Sequence, residues 1–118
     1  MLQRMNKGAI LALLWSCGTP VLAGPGASNF TLVNGTAAGL GEVSIRRAGA
    51  SDWKPLGSSP VAGAAGPVQF KDPDCAFDIR ATVPGSGPVT WAGVNLCDVK
   101  SVTLKRDDNA GAWVDYDQ

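Results

Sequence analysis

The stretch Cys75-Ala-Phe-Asp-Ile-Arg-Ala-Thr-Val83 alternates strictly, with Cys75, Phe77, Ile79, Ala81 and Val83 on one face and Asp78 and Arg80 on the other. A period of two does not build one apolar side of a helix; it specifies a strand with one face in a core and one in water. Pro84-Gly-Ser-Gly87 is turn chemistry, so residues 89–96 are expected to return antiparallel as the hairpin partner. Gly93 inside that return predicts a bulge that moves the inward set from Trp91 to Val94 and Leu96.

The remaining chain breaks into similar short runs. Phe30-Thr-Leu-Val-Asn34 ends at Gly35, and Glu42-Val-Ser-Ile-Arg46 sets Val43 and Ile45 on one face. Residues 53–56 form a weak run that Pro55 confines to a sheet edge. Residues 61–67 read as a Gly/Ala/Pro loop leading into Val68-Gln-Phe70. Residues 101–106 alternate again with Val102 and Leu104 inward, and a polar turn at 107–111 precedes a last run at 112–116. Fifteen glycines and eight prolines suit so many turns. The expected fold is all-β: a small antiparallel β-sandwich or flattened barrel of seven or eight strands, with one disulfide and no helix.

The first 23 residues stand apart from that pattern. Arg4 and Lys7 precede an apolar stretch from Gly8 to Trp15, a breaker cluster follows, and Val21-Leu-Ala23 fits the small-residue subsites of signal peptidase. A cleaved signal peptide over 1–23 is expected, with 24–28 a short flexible lead-in and 29–118 a single β domain. The apolar stretch is far shorter than the roughly 20 residues of a membrane span. Leu14-Trp-Ser-Cys17 loosely resembles a lipobox, which would make Cys17 an acylation site instead.

Without the leader, Cys75 and Cys97 are the two cysteines that remain, and in an oxidising compartment they are expected to pair. Closing that loop stabilises a small domain by about 3 kcal/mol on the chain-entropy account. The rival, a redox dithiol, lacks a CxxC spacing and any histidine to activate a thiol.

The blocks Phe30-Thr-Leu-Val-Asn34-Gly-Thr36, Cys75-Ala-Phe-Asp-Ile-Arg80 and Gly93-Val-Asn-Leu-Cys97 resemble those of a group of small secreted proteobacterial proteins. That group shares F-x-L-V-N-x-T, C-x-F-D-I-R and G-V-N-L-C segments, and the similarity runs over residues 28–117. The resemblance implies a compact exported β domain and brings no activity with it. Ala37 stands where many relatives carry glycine.

No histidine occurs anywhere, which removes the commonest general base, the Ser-His and Cys-His pairs and the usual zinc ligand. No catalytic residues, cofactor or metal are therefore expected, and the chain is read as no enzyme. Basic and acidic side chains balance at ten each over the full sequence, so nothing marks a nucleic-acid surface.

Asp78 and Arg80 share the predicted outer face, either as a ligand or partner feature or as members of an exposed cross-strand ion pair. Arg46 and Arg47 point to opposite faces and are read as solubilising an edge. Trp91 and Trp113 are expected in or over the core, whereas Trp53, between Asp52 and Lys54, is the best candidate for an exposed contact. Asn34-Gly-Thr36 fits a glycosylation sequon but reads more simply as a turn. Asp107, Asp108, Asp115 and Asp117 gather near the last turn without the spacing of a calcium loop.

The leading expectation is a monomeric, non-catalytic periplasmic or secreted protein. It would bind an envelope protein or glycan through Trp53, Asp78 and Arg80. The alternatives are a small inhibitor of a secreted hydrolase, presenting the 84–88 loop, and a calcium-stabilised structural module.

Overall fold

A computed structural model describes residues 26–118. The expected signal peptide, with Cys17 inside it, lies outside the described residues. Eight strands follow one another: β1 (Phe30–Asn34), β2 (Gly41–Arg47), β3 (Lys54–Pro55), β4 (Ala65–Val68), β5 (Ala76–Val83), β6 (Gly87–Asn95), β7 (Ser101–Asp107) and β8 (Gly111–Asp117). No helix among the described residues is long and apolar enough to cross a membrane.

The strands form two four-stranded sheets, ordered β4-β1-β7-β8 and β3-β2-β5-β6. All pairings are antiparallel except β1 with β7, which run parallel with Leu32 beside Val102. The inner faces meet in one cluster that includes Phe30, Leu32, Val102 and Leu104 from the first sheet and Ile45, Phe77, Ile79 and Trp91 from the second. Leu32, Ile79, Val102 and Leu104 have no exposed surface, and each such side chain contributes about 1.5–3 kcal/mol by its burial.

The β5–β6 hairpin follows the alternation. Its turn is tight: Ser86 N donates to Val83 O at 2.9 Å, with Pro84 and Gly85 at its centre. Gly85 has φ +82°, the positive value that a type II turn requires at that position. Further along, Phe77 faces Val94 and Ile79 faces Trp91, so β6 holds one residue more than β5 between these pairs. Gly93, at φ +67°, absorbs it. The bulge therefore sits where the glycine predicts it, and Trp91, Val94 and Leu96 are all buried. Cys75 and Cys97 close the open end of the hairpin as a disulfide, their Cα atoms 5.1 Å apart.

Trp91 also ties the sheets together, its indole Nε1 donating to Lys105 O of β7 at 2.8 Å. A second link, Asn95 N to the Tyr116 hydroxyl at 2.9 Å, joins edge strands β6 and β8. The opposite edge is framed by the two shortest strands, β3 and β4.

Several sequence expectations need correction. The loop read at 61–67 contains β4, in which Ala65, Gly66 and Pro67 pair with β1. Contact with the domain begins at Ala27, which is buried and bridges to Asp72, so the lead-in is anchored before residue 29. Cys75 lies exposed, and the inward series of β5 starts at Phe77. Trp113 is 40% exposed instead of covering the core. It lies on edge strand β8, paired with Lys105, while Val114 carries the inward position.

Asn34 anchors the end of β1 from a site with no exposed surface. Its Nδ2 donates to Ala38 O at 2.8 Å and Pro60 O at 3.0 Å. Its Oδ1 accepts from Thr36 N at 2.9 Å and lies 2.6 Å from the Thr36 hydroxyl. The amide thus fastens two separate loops and its hydrogen-bonding capacity is filled. The sequon is a turn, as its residues suggest, and its asparagine is sealed from any glycan. Asn34→Ala leaves the half-buried Ala38 and buried Pro60 carbonyls without this donor, so a loss of about 3 kcal/mol is expected in urea unfolding of the oxidised protein.

Candidate functional site

The outer face of the β3-β2-β5-β6 sheet carries the densest polar cluster. β2 is an inner strand here and not the edge expected of Arg46 and Arg47. Its register sets Arg46 opposite Asp78 and Ser44 opposite Arg80, and Arg80 in turn faces Thr90 of β6. Lys54 of β3 pairs with Ile45, so Trp53, one residue earlier, stands level with Arg46. Pro55 limits β3 to two residues, and the indole lies over the sheet face. The Arg80 guanidinium carbon is 4.0 Å from the ring centroid and that of Arg46 is 4.5 Å away. Trp53, Asp78 and Arg80, separated by up to 27 positions in sequence, thus belong to one cluster built around Arg46.

Asp78 is its hinge. Although it lies on the outer face, it is only 6% exposed. Oδ2 accepts from Arg46 Nε at 2.9 Å, and Oδ1 accepts from Gly93 N at 3.0 Å. The second bond follows from the bulge: the extra residue of β6 has an amide outside the regular ladder, and Asp78 takes it. The cross-strand ion pair considered from sequence is formed by Asp78 and not by Arg80. Asp78 pairs across the strands with Arg46, and among the described residues Arg80 has no carboxylate within ion-pair distance.

Burial pushes the Asp78 carboxyl up, but the Gly93 amide, the Arg46 guanidinium and the Gly49 amide together hold it below its ordinary value. Asp72, at the neighbouring end of the sheet, behaves similarly: partial burial raises it, while the Asp74 amide and Arg47 lower it further. Arg47 grips Asp72 with Nε at 3.2 Å and Nη2 at 3.1 Å, and also lies 3.1 Å from Asp74. This exposed clip fastens the end of β2 to the β4–β5 loop. Beside it, a cleft of about 360 Å³ opens between the end of β2 and the β4–β5 loop, with Ile45, Phe70 and Phe77 among its lining residues. Phe70 meets Phe30 and Phe77 edge to face at 6.2 and 5.2 Å.

Neither alternative site gains geometric support. Asp107 is occupied with its own turn, accepting from Asn109 N at 2.7 Å and Ala110 N at 3.2 Å. Among the described residues no three carboxylate, histidine or cysteine side chains converge as metal ligands. Within the 84–88 segment, residues 84–86 are a tight hairpin turn and Gly87 and Pro88 already pair with β5.

Sequence reasoning selected Trp53, Asp78 and Arg80 but missed Arg46, which touches Trp53 and Asp78 in the cluster core. No signal in the sequence marks it, because its position opposite Asp78 depends on the β2–β5 register.

No protein-family model matches the chain, and no curated protein is significantly similar to it. The fold is similar to the NMR structure of a protein from Eubacterium rectale, with a TM-score of 0.53 and 15% sequence identity over 84% of this chain and 96% of that one. At such identity the likeness extends to the fold alone.

Because the folded-state pKa of Asp78 lies below the unfolded value of about 3.9, its carboxylate stabilises the protein above that pH. That contribution is lost as pH falls through the depressed folded value. Asp78→Asn is expected to lower stability by about 2 kcal/mol at neutral pH and to flatten the acid limb of a pH–stability profile followed by urea unfolding.

Proposed function

We propose that this chain is an exported, non-catalytic recognition domain that binds another component of the bacterial envelope through the outer face around Trp53 and Arg80. The observation that supports this reading is the sharing of one indole by two guanidiniums, only one of which has a carboxylate partner among the described residues. Arginine and tryptophan are the residue types that most often dominate binding energy at interfaces. Here the strands already hold them in place, which lowers the ordering cost of association.

A periplasmic or secreted location accords with the leader-like residues 1–23 and with the Cys75–Cys97 bond, which persists in oxidising compartments. The lack of histidine supports a binding role over a catalytic one.

The test is affinity capture from envelope extract with the oxidised protein as bait, followed by titration of what is retained. Trp53→Ala and Arg80→Ala are each expected to weaken binding about tenfold, as loss of an anchoring side chain does. Trp113→Ala, at a tryptophan on the other sheet that is more exposed than half-buried Trp53, should leave it unchanged. Equal affinity of Trp53→Ala and the parent protein would place the contact elsewhere.

A further inference from the structure

The geometry points to a carboxylate-bearing sugar, a uronate unit of an acidic glycan, as the ligand of the Trp53–Arg80 face. This inference rests on the recognition role proposed above and specifies its chemistry.

Charge comes first. Arg46 and Arg80 both lie against Trp53, and Asp78 neutralises the first alone. Asp52 and Lys54 flank the indole in sequence, are both exposed, and offset one another. The cluster therefore carries one uncompensated positive charge, on Arg80, in a domain whose residues 26–118 contain eight basic and ten acidic side chains. A local cation on an otherwise anionic molecule selects an anion and orients its approach. One uncompensated charge matches a singly charged group. The planar fork of a guanidinium matches the two oxygens of a carboxylate better than the tetrahedral oxygens of a sulfate.

The surroundings decide what carries the carboxylate. Ser44 and Thr90 flank Arg80 across the sheet, and Thr82 follows it along β5 on the same face. The Ser44 hydroxyl makes only a long 3.4 Å contact with Glu42 O, leaving it available to a ligand. A row of small hydroxyls beside an indole offers the alternation of polar and apolar contact that a sugar ring presents on its edge and face. A protein partner would instead need a desolvated apolar centre. Around Arg80, Pro55 beside Ser44 and Pro88 beside Thr82 supply no such pocket, and the cleft with Ile45, Phe70 and Phe77 is lined by Arg46 but by neither Arg80 nor Trp53.

The experiment titrates the oxidised full chain by calorimetry with a galacturonate hexamer, a neutral glucan hexamer, a sulfated glucan hexamer and polyglutamate of matched charge. The uronate is expected to bind saturably and at least about tenfold more tightly than each of the others, the difference one well-made charge-assisted pair supplies. Arg80→Gln should lower uronate affinity about tenfold, and Arg80→Lys should recover only part of it because the charge returns without the fork. Both variants should keep the near-ultraviolet dichroism of buried Trp91, which reports the intact sandwich. Equal binding of polyglutamate, sulfated glucan or the neutral hexamer, or indifference to Arg80→Gln in a folded variant, would overturn the inference. A Trp53-dependent envelope partner together with no uronate binding would overturn it too, while leaving the recognition role standing.

Discussion

One extra residue in β6 links the core of this protein to its surface. Without the bulge at Gly93, strict alternation from Trp91 would send Val94 outward. With it, Trp91 and Val94 both face the core, opposite Ile79 and Phe77. The same irregularity turns the Gly93 amide toward Asp78. Asp78 then holds Arg46, and Arg46 lies against Trp53. A backbone feature that phases the hydrophobic core therefore also places the charged groups on the far side of the sheet. A left-handed φ of +67° explains why glycine serves there, since a side chain would be strained at that conformation.

The two long edges of the sandwich are treated differently. Along one, Trp91 reaches across to the β7 backbone and Tyr116 meets the Asn95 amide, so β6 and β8 are joined through side chains without a shared ladder. Along the other, β3 and β4 span only two and four residues. Prolines in both, Pro55 and Pro67, limit further strand pairing there, which protects a short edge from adding foreign strands. Asn34 supplies on that side what a ladder would otherwise provide, binding the β1–β2 and β3–β4 loops to one amide. The Arg47–Asp72 clip and the Phe70 aromatic contacts complete the closure.

How far the sequence reveals this depends on the range of the interaction. Period-two alternation is local, so β2, β5, β7 and their inward residues can be read directly, as can the bulge at Gly93 and the turn at Pro84. The disulfide follows from counting cysteines. β4 escapes notice because Ala65-Gly-Pro-Val68 has no strand propensity of its own and is held by pairing with β1. Trp113 misleads because hydrophobicity alone does not tell an edge strand's outer face from its inner one. Trp53, Asp78 and Arg80 could be singled out individually, but their joining through Arg46 depends on register between strands 32 residues apart. The burial of Asp78 is invisible in an alternation that assigns every polar residue to water.

The Arg46–Trp53–Arg80 arrangement is poorly explained by stability. A partly exposed cation–π contact is worth about 0.5–1 kcal/mol, and fixing a long arginine side chain costs up to about 2 kcal/mol of rotamer freedom. Arg46 recovers that cost through its bond to buried Asp78, and its role in the fold is thereby accounted for. Arg80 has no such compensation, and a second cation near the same ring adds repulsion. A neutral residue at position 80 would serve the sandwich at least as well, because the inward packing of β5 resides in Phe77, Ile79, Ala81 and Val83. Arg80 thus rests 4.0 Å from the indole centroid without a stabilising role in the sandwich that would require a cation there.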